Sequence, residues 1–138
     1  MVDMWSEFTI DYVALPNGQL PAREFIDSLD DAAAARIDAF IERLRTSGNR
    51  MQGKFVNKLS EDIFELRVKQ FDRIFRILFF YQPGMLILLT SGFQKKTQKT
   101  PPGEIVRAKR LRRLWLAYRN RYPGSRSERE AIGKDWGI

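Results

Sequence analysis

The sequence predicts a single α+β domain in which helices pack on an antiparallel sheet, and three features of its pattern predict it. Apolar residues recur at helical spacing in the first and last thirds of the chain. They alternate, or run unbroken, through the middle third. Turn residues separate the blocks.

Residues 8–13 open the pattern as a strand, with Phe8, Ile10 and Tyr12 apolar and polar residues between them. Pro16-Asn17-Gly18 turns the chain. Pro21 suits the first turn of a short helix that runs to Leu29, with Phe25, Ile26 and Leu29 on one face. Asp30 or Asp31 caps a second helix. Its apolar residues are Ile37, Phe40, Ile41 and Leu44, and Gly48-Asn49 stops it, giving a helical hairpin. Over residues 63–92 the period becomes that of strands. Phe64, Leu66 and Val68 alternate with Glu65, Arg67 and Lys69. Residues 74–81 are apolar but for Arg76, residues 85–89 are wholly apolar, and Pro83-Gly84 turns between them. A Lys- and Thr-rich loop over 94–102 leads to a last helix with Ile105, Ala108, Leu111, Leu114, Trp115 and Tyr118 in a stripe, ended by Tyr122-Pro123-Gly124. The domain is expected to span residues 1–122, with residues 123–138 a poorly ordered, charge-balanced tail.

Composition narrows the chemistry. With 138 residues and 43% hydrophobic content the chain is large and apolar enough to fold without a metal or disulfide. It has no Cys and no His, so disulfides, the usual zinc sites and every Ser–His or Cys–His pairing are excluded for the chain acting alone. No metal or cofactor is expected. Asp3 and Glu7 precede any basic residue, so no targeting signal is expected. Arg76 and Gln82-Pro83-Gly84 interrupt the most apolar stretch, so no membrane span is expected either, and a cytoplasmic protein is the simplest reading.

The net charge of +7 is unevenly spread: 4 basic and 9 acidic residues over 1–48, 7 and 4 over 49–94, and 10 and 1 over 95–121. A fold that joins the second and third blocks presents a positive surface to a polyanion, nucleic acid first among them. The last helix, with Arg107 and Arg110 among its cations, is too lopsided for an ordinary wet face and reads as a nucleic-acid footprint. Lys95, Lys96 and Lys99 lie in a loop able to converge with Arg67 and Lys69 on one phosphate.

Two hairpin registers fit the alternation equally. A four-residue loop between Lys69 and Ile74 sets Arg67 opposite Arg76 and puts Glu65, Arg67, Lys69 and Arg76 on one face, an arrangement that calls for an anion between the cations, either Glu65 or a bound phosphate. A three-residue loop over 70–72 instead sets Arg76 opposite Leu66, its stem in the core. Phe71, Phe75 and Phe79 alternate along the same hairpin; bases can stack on such rings, although core packing is the better account of most of them. Without histidine, Arg serves such a site only electrostatically. A Lys crowded by cations has a lowered pKa and can also move a proton.

Residues 63–68 (Ile-Phe-Glu-Leu-Arg-Val), 75–80 (Phe-Arg-Ile-Leu-Phe-Phe) and 93–101 (Phe-Gln-Lys-Lys-Thr-Gln-Lys-Thr-Pro), followed by Glu104, Ile105 and Ala108, resemble the HigB-type, phage-related branch of the RelE/ParE toxin superfamily. The likeness spans about residues 8–118. It implies a RelE-like fold and the toxin half of a type II toxin–antitoxin pair: an endoribonuclease that cuts mRNA in the ribosomal A site and is silenced by a helix-turn-helix antitoxin. By motif, Arg67 and Arg76 would bind and polarise the scissile phosphate. Lys95 and Lys96 would contribute charge or proton transfer, and Lys69 and Arg73 would add RNA contacts. Some relatives place a histidine or acidic residue after the last strand, or a tyrosine in the final helix. This chain has no histidine, and Tyr118 and Tyr122 are the candidate substitutes. A ParE-like toxin directed at DNA gyrase and a non-catalytic basic RNA-binding module are the competing readings.

Overall fold

The computed structural model describes residues 7–48, 53–95 and 99–121. Its elements run β1 (Thr9–Tyr12), α1 (Pro21–Asp27), α2 (Asp31–Ser47), β2 (Val56–Lys58), β3 (Phe64–Gln70), β4 (Arg73–Gln82), β5 (Leu86–Lys95) and α3 (Pro102–Arg121). The five strands form one sheet in the order β1-β5-β4-β3-β2. The expected antiparallel sheet is present from β2 to β5, and β1 joins β5 in parallel at the edge, pairing Thr9 with Leu86 and Tyr12 with Leu89.

Local signals set the helix ends. Asp30 caps α2, its carboxylate accepting from the Ala33 N–H at 3.2 Å. Gly48 ends the same helix at φ 50°, a left-handed conformation that favours glycine. Pro21 occupies the first turn of α1.

The sheet is buried on both faces. Leu66, Val68, Phe75, Ile77, Phe79, Ile87 and Leu89 pack against Ala22 and Ile26 of α1 and against Ile37, Phe40, Ile41 and Leu44 of α2. On the other face Leu78, Phe80 and Leu88 meet Ala108, Leu111 and Trp115 of α3, together with Val13 and Ile63. A bulge in β5 lets one strand serve both layers. Leu78 pairs with Ser91 but Phe79 pairs with Leu89, so Thr90 is the extra residue, and its hydroxyl donates to the Leu78 carbonyl at 3.0 Å. Past the bulge the side-chain parity shifts, which sends Leu88 to the α3 layer and Ile87 and Leu89 to the α1–α2 layer.

Two elements differ from expectation. The short strand β2 has one apolar residue in three, too little for a period to show. β5 continues through Lys95, which pairs with Ile74, so Lys95 lies on a strand and not in the following loop. Lys96, Tyr122 and the expected tail lie outside the described residues.

Candidate functional site

The register between β3 and β4 builds the site. Lys69 pairs with Ile74 and Arg67 with Arg76, the first of the two registers the alternation allows. Residues two apart share a face, so Glu65, Arg67 and Lys69 of β3 lie with Arg76 of β4. Across β4–β5, Arg76 pairs with Phe93 and Ile74 with Lys95, which adds Phe93 and Lys95 to that face. It is the face on which α3 packs, and α3 leaves this end of it open.

The anion that separates the two arginines is Glu65. Its carboxylate takes the Arg76 guanidinium in an ion pair buried on both sides, Glu65 being 2% and Arg76 5% exposed. The other carboxylate oxygen accepts from the hydroxyl of Thr100, and Asn57 of β2 adds a 3.5 Å contact. This carboxylate therefore ties three segments together: β2, β4 and the stretch just before α3. Arg67 is not so occupied. Its Nε is buried and has no hydrogen-bond partner among the described residues. Lys95 is 7% exposed, and its Nζ is likewise buried and unpartnered among them. Loss of hydration, and then the Arg76 charge, push the Lys95 ammonium below the ordinary lysine pKa, with Glu65 opposing.

Glu65, Arg67, Arg76 and Thr100 line an open cleft of ≈ 450 Å³, and Lys95, which feels the charges of Arg76 and Glu65, does not line it. Glu65, Arg67 and Arg76 form its floor, and Asn57 and Leu59 lie on the β2 side. Lys99, Thr100 and Ile105 close it from the connection and the first turn of α3. Two arginines and Lys99 at the cleft, with Lys95 beside them and Glu65 as the single carboxylate, leave an excess of positive charge suited to a phosphate or another anion. Among the described residues no three Asp or Glu side chains gather as a metal would require.

The other predicted residues fall outside this cleft. Lys69 is exposed on the same face, further along β3. Arg73 faces the opposite layer, where it pairs with Asp30 at 2.6 Å and lies over the Phe75 ring. Arg107 and Arg110 are exposed on α3 and do not line the cleft. Lys96 is outside the described residues. Asn57, Leu59 and Thr100 were not singled out by the sequence, because they belong to short or irregular segments whose approach depends on the sheet register, and Ile105, read only as part of the helical stripe, reaches the cleft from the first turn of α3.

The family model of phage-derived protein Gp49-like (DUF891) matches residues 24–113. The chain belongs to this Gp49-like family, which is of the RelE/HigB-like toxin kind. The matched span runs from α1 to within α3 and holds every described residue of the cleft. No curated protein matches the chain. No helix among the described residues is long and apolar enough to cross a membrane.

Proposed function

We propose that this Gp49-like protein is the toxin of a type II toxin–antitoxin pair, a cytoplasmic endoribonuclease that cuts mRNA on the ribosome and is held silent by a helix-turn-helix antitoxin. The observation that carries the reading is the cross-strand pair Arg67–Arg76 at the floor of an open, positively charged cleft. Its membership of a RelE/HigB-like family supports the same conclusion.

Cleavage through the 2′-hydroxyl bonds the 2′-oxygen to phosphorus, giving a 2′,3′-cyclic phosphate, as the bond from phosphorus to the 5′-oxygen breaks. It requires loss of the 2′ proton, stabilisation of charge on the phosphorus oxygens and a proton for the leaving oxygen. Arg67, with an unsatisfied Nε, donates to one phosphorus oxygen. Arg76, aligned by Glu65, supplies the second fixed charge, and Lys99 meets the neighbouring phosphate at the rim. Lys95 and Lys96 add charge or proton transfer, and burial together with Arg76 makes Lys95 readier to give up its proton than an ordinary lysine. The reaction so written uses no metal or cofactor.

Induced expression should arrest growth, and toeprinting on translating ribosomes should show new breaks in the message. Arg67→Ala should lower the cleavage rate by ~10²-fold or more and relieve the arrest while the protein stays folded. A folded, fully toxic Arg67→Ala would refute the site. Arrest with intact message would place the protein with the gyrase-directed toxins instead.

A further inference from the structure

The hairpin between β3 and β4 carries a feature that its fold does not need. Gln70 pairs with Arg73, so Phe71 and Asp72 alone make the turn. Phe71 sits at φ 54°, in the left-handed region that glycine or asparagine enters readily and a bulky aromatic does not. The ring gains nothing in return from burial. It is 84% exposed, whereas Phe75 and Phe79, the next members of its alternating series, are fully buried. Backbone strain and an exposed apolar ring both weigh against phenylalanine here, and strain of this kind collects at sites that bind.

Placement indicates what binds. Phe71 follows directly on the strand that carries Arg67 in the cleft and then Lys69, which is exposed and has no ion-pair partner among the described residues. Four residues of strand separate Arg67 from Phe71, about 13 Å, a span that a few nucleotides of single strand cover. The tip is braced: Arg36 donates to the Lys69 carbonyl at 2.6 Å, and Arg73 is held by Asp30 and by Gln70 at 3.1 Å. The Asp30 pairing takes up the Arg73 charge, and Asp72 stands in the turn itself, so Lys69 is the cation that leads from the cleft to the ring. A cleft cation, a second cation and then a bare aromatic face, in that order, match a phosphate, the next phosphates and a base with an open face.

We infer that Phe71 is a nucleobase-stacking subsite for single-stranded RNA, a few nucleotides from the linkage held between Arg67 and Arg76, with Lys69 meeting the backbone between them. The inference rests on the endoribonuclease reading and adds an RNA-binding position to it.

Purified ribosomes programmed with a short synthetic message provide the test, cleavage being followed at varied ribosome concentration. Phe71→Ala and Phe71→Gly should raise KM roughly tenfold with kcat unchanged, and Phe71→Trp should stay near wild type. Phe71→Gly should also melt at a higher temperature than wild type, because the turn strain is gone; weaker binding with gained stability is not what a structural role produces. A message with one abasic nucleotide, moved stepwise away from the cleaved linkage, should cost the wild type a similar factor at one position. It should cost Phe71→Ala nothing further there. A cleaving wild type whose Phe71→Ala variant keeps the same KM, or pays the abasic penalty in full, would overturn the subsite alone and leave the ring to a protein partner. A wild type that cleaves no message would overturn the endoribonuclease reading and the subsite together.

Discussion

Glu65 decides how the arginines of the cleft can be probed. Removing Arg76 takes the ion-pair partner from the buried Glu65 carboxylate, and removing Glu65 takes the carboxylate from the buried Arg76 guanidinium. Each single substitution to alanine should cost about 3–5 kcal/mol, read from urea denaturation. The double variant Glu65→Leu/Arg76→Met, with apolar groups of similar volume, should recover most of that stability and stay inactive. A loss in the double variant equal to the sum of the two single losses would show that the pair is not coupled. Arg67 separates function from fold more cleanly, because its Nε gives up no partner when the side chain is cut back. Lys95 goes further: a buried, unpartnered ammonium weakens the fold, so Lys95→Met should melt at a higher temperature near pH 7 while cleaving more slowly. The sign follows from its lowered pKa. The wild type gains stability as pH rises through the folded-state value toward the ordinary 10.5, where the free amine costs less to bury. The melting advantage of Lys95→Met should therefore shrink on the alkaline side, and an advantage that does not change with pH would show that the ammonium is not the cause.

Among the elements, the start of α2 and the start of β4 are joined through one carboxylate. Asp30 caps the helix and pairs with Arg73, and the Arg73 hydrogen bond first, then the Ala33 N–H, lower its pKa from 3.8 to about 2. A carboxylate lowered in this way contributes stability that is full above 3.8 and is lost as pH falls through about 2. Asn still caps a helix but cannot ionise, so Asp30→Asn should melt below wild type at pH 6, and the gap should close between pH 4 and 2. A gap that is constant with pH would assign Asp30 to capping alone. The same hairpin shows why the sequence left its register open. Alternation places Arg67, Lys69 and Arg76 on strands, but the choice between the two loops rests on the turn, and Phe71 carries none of the Gly or Asn chemistry that marks a two-residue turn. The helices, their caps and the strands β3 and β4 were legible because periodicity and Asp30, Pro21 and Gly48 act locally. The parallel pairing of β1 with β5 and the hydrogen bond from Thr100 to Glu65 join residues far apart in the chain, and no local pattern encodes them.

At the scale of the molecule, the uneven charge becomes a difference between the two sides of one sheet. In the α1–α2 layer the arginines are largely spent on carboxylates: Arg23 on Asp27 and Asp38, Arg45 on Glu7 and Glu42, Arg73 on Asp30. Along α3, Arg107, Arg110 and Arg113 are exposed with no ion-pair partner among the described residues, and Arg112 lies 3.8 Å from the carboxylate of Asp62. The unspent charge thus lies on the layer that also holds the cleft, which is the arrangement expected of a protein drawn to a polyanion by its field. That field acts on encounter and not on the bond-breaking step. Arg107→Glu/Arg110→Glu should slow association with programmed ribosomes by roughly tenfold at low salt and leave the cleavage rate at saturation unchanged. The logarithm of affinity should also fall less steeply with the logarithm of salt, by about 0.7 for each phosphate of single-stranded RNA that the variant no longer neutralises. An unaltered salt slope in that variant, measured beside a wild type that cleaves, would confine the RNA footprint to the cleft and remove α3 from it.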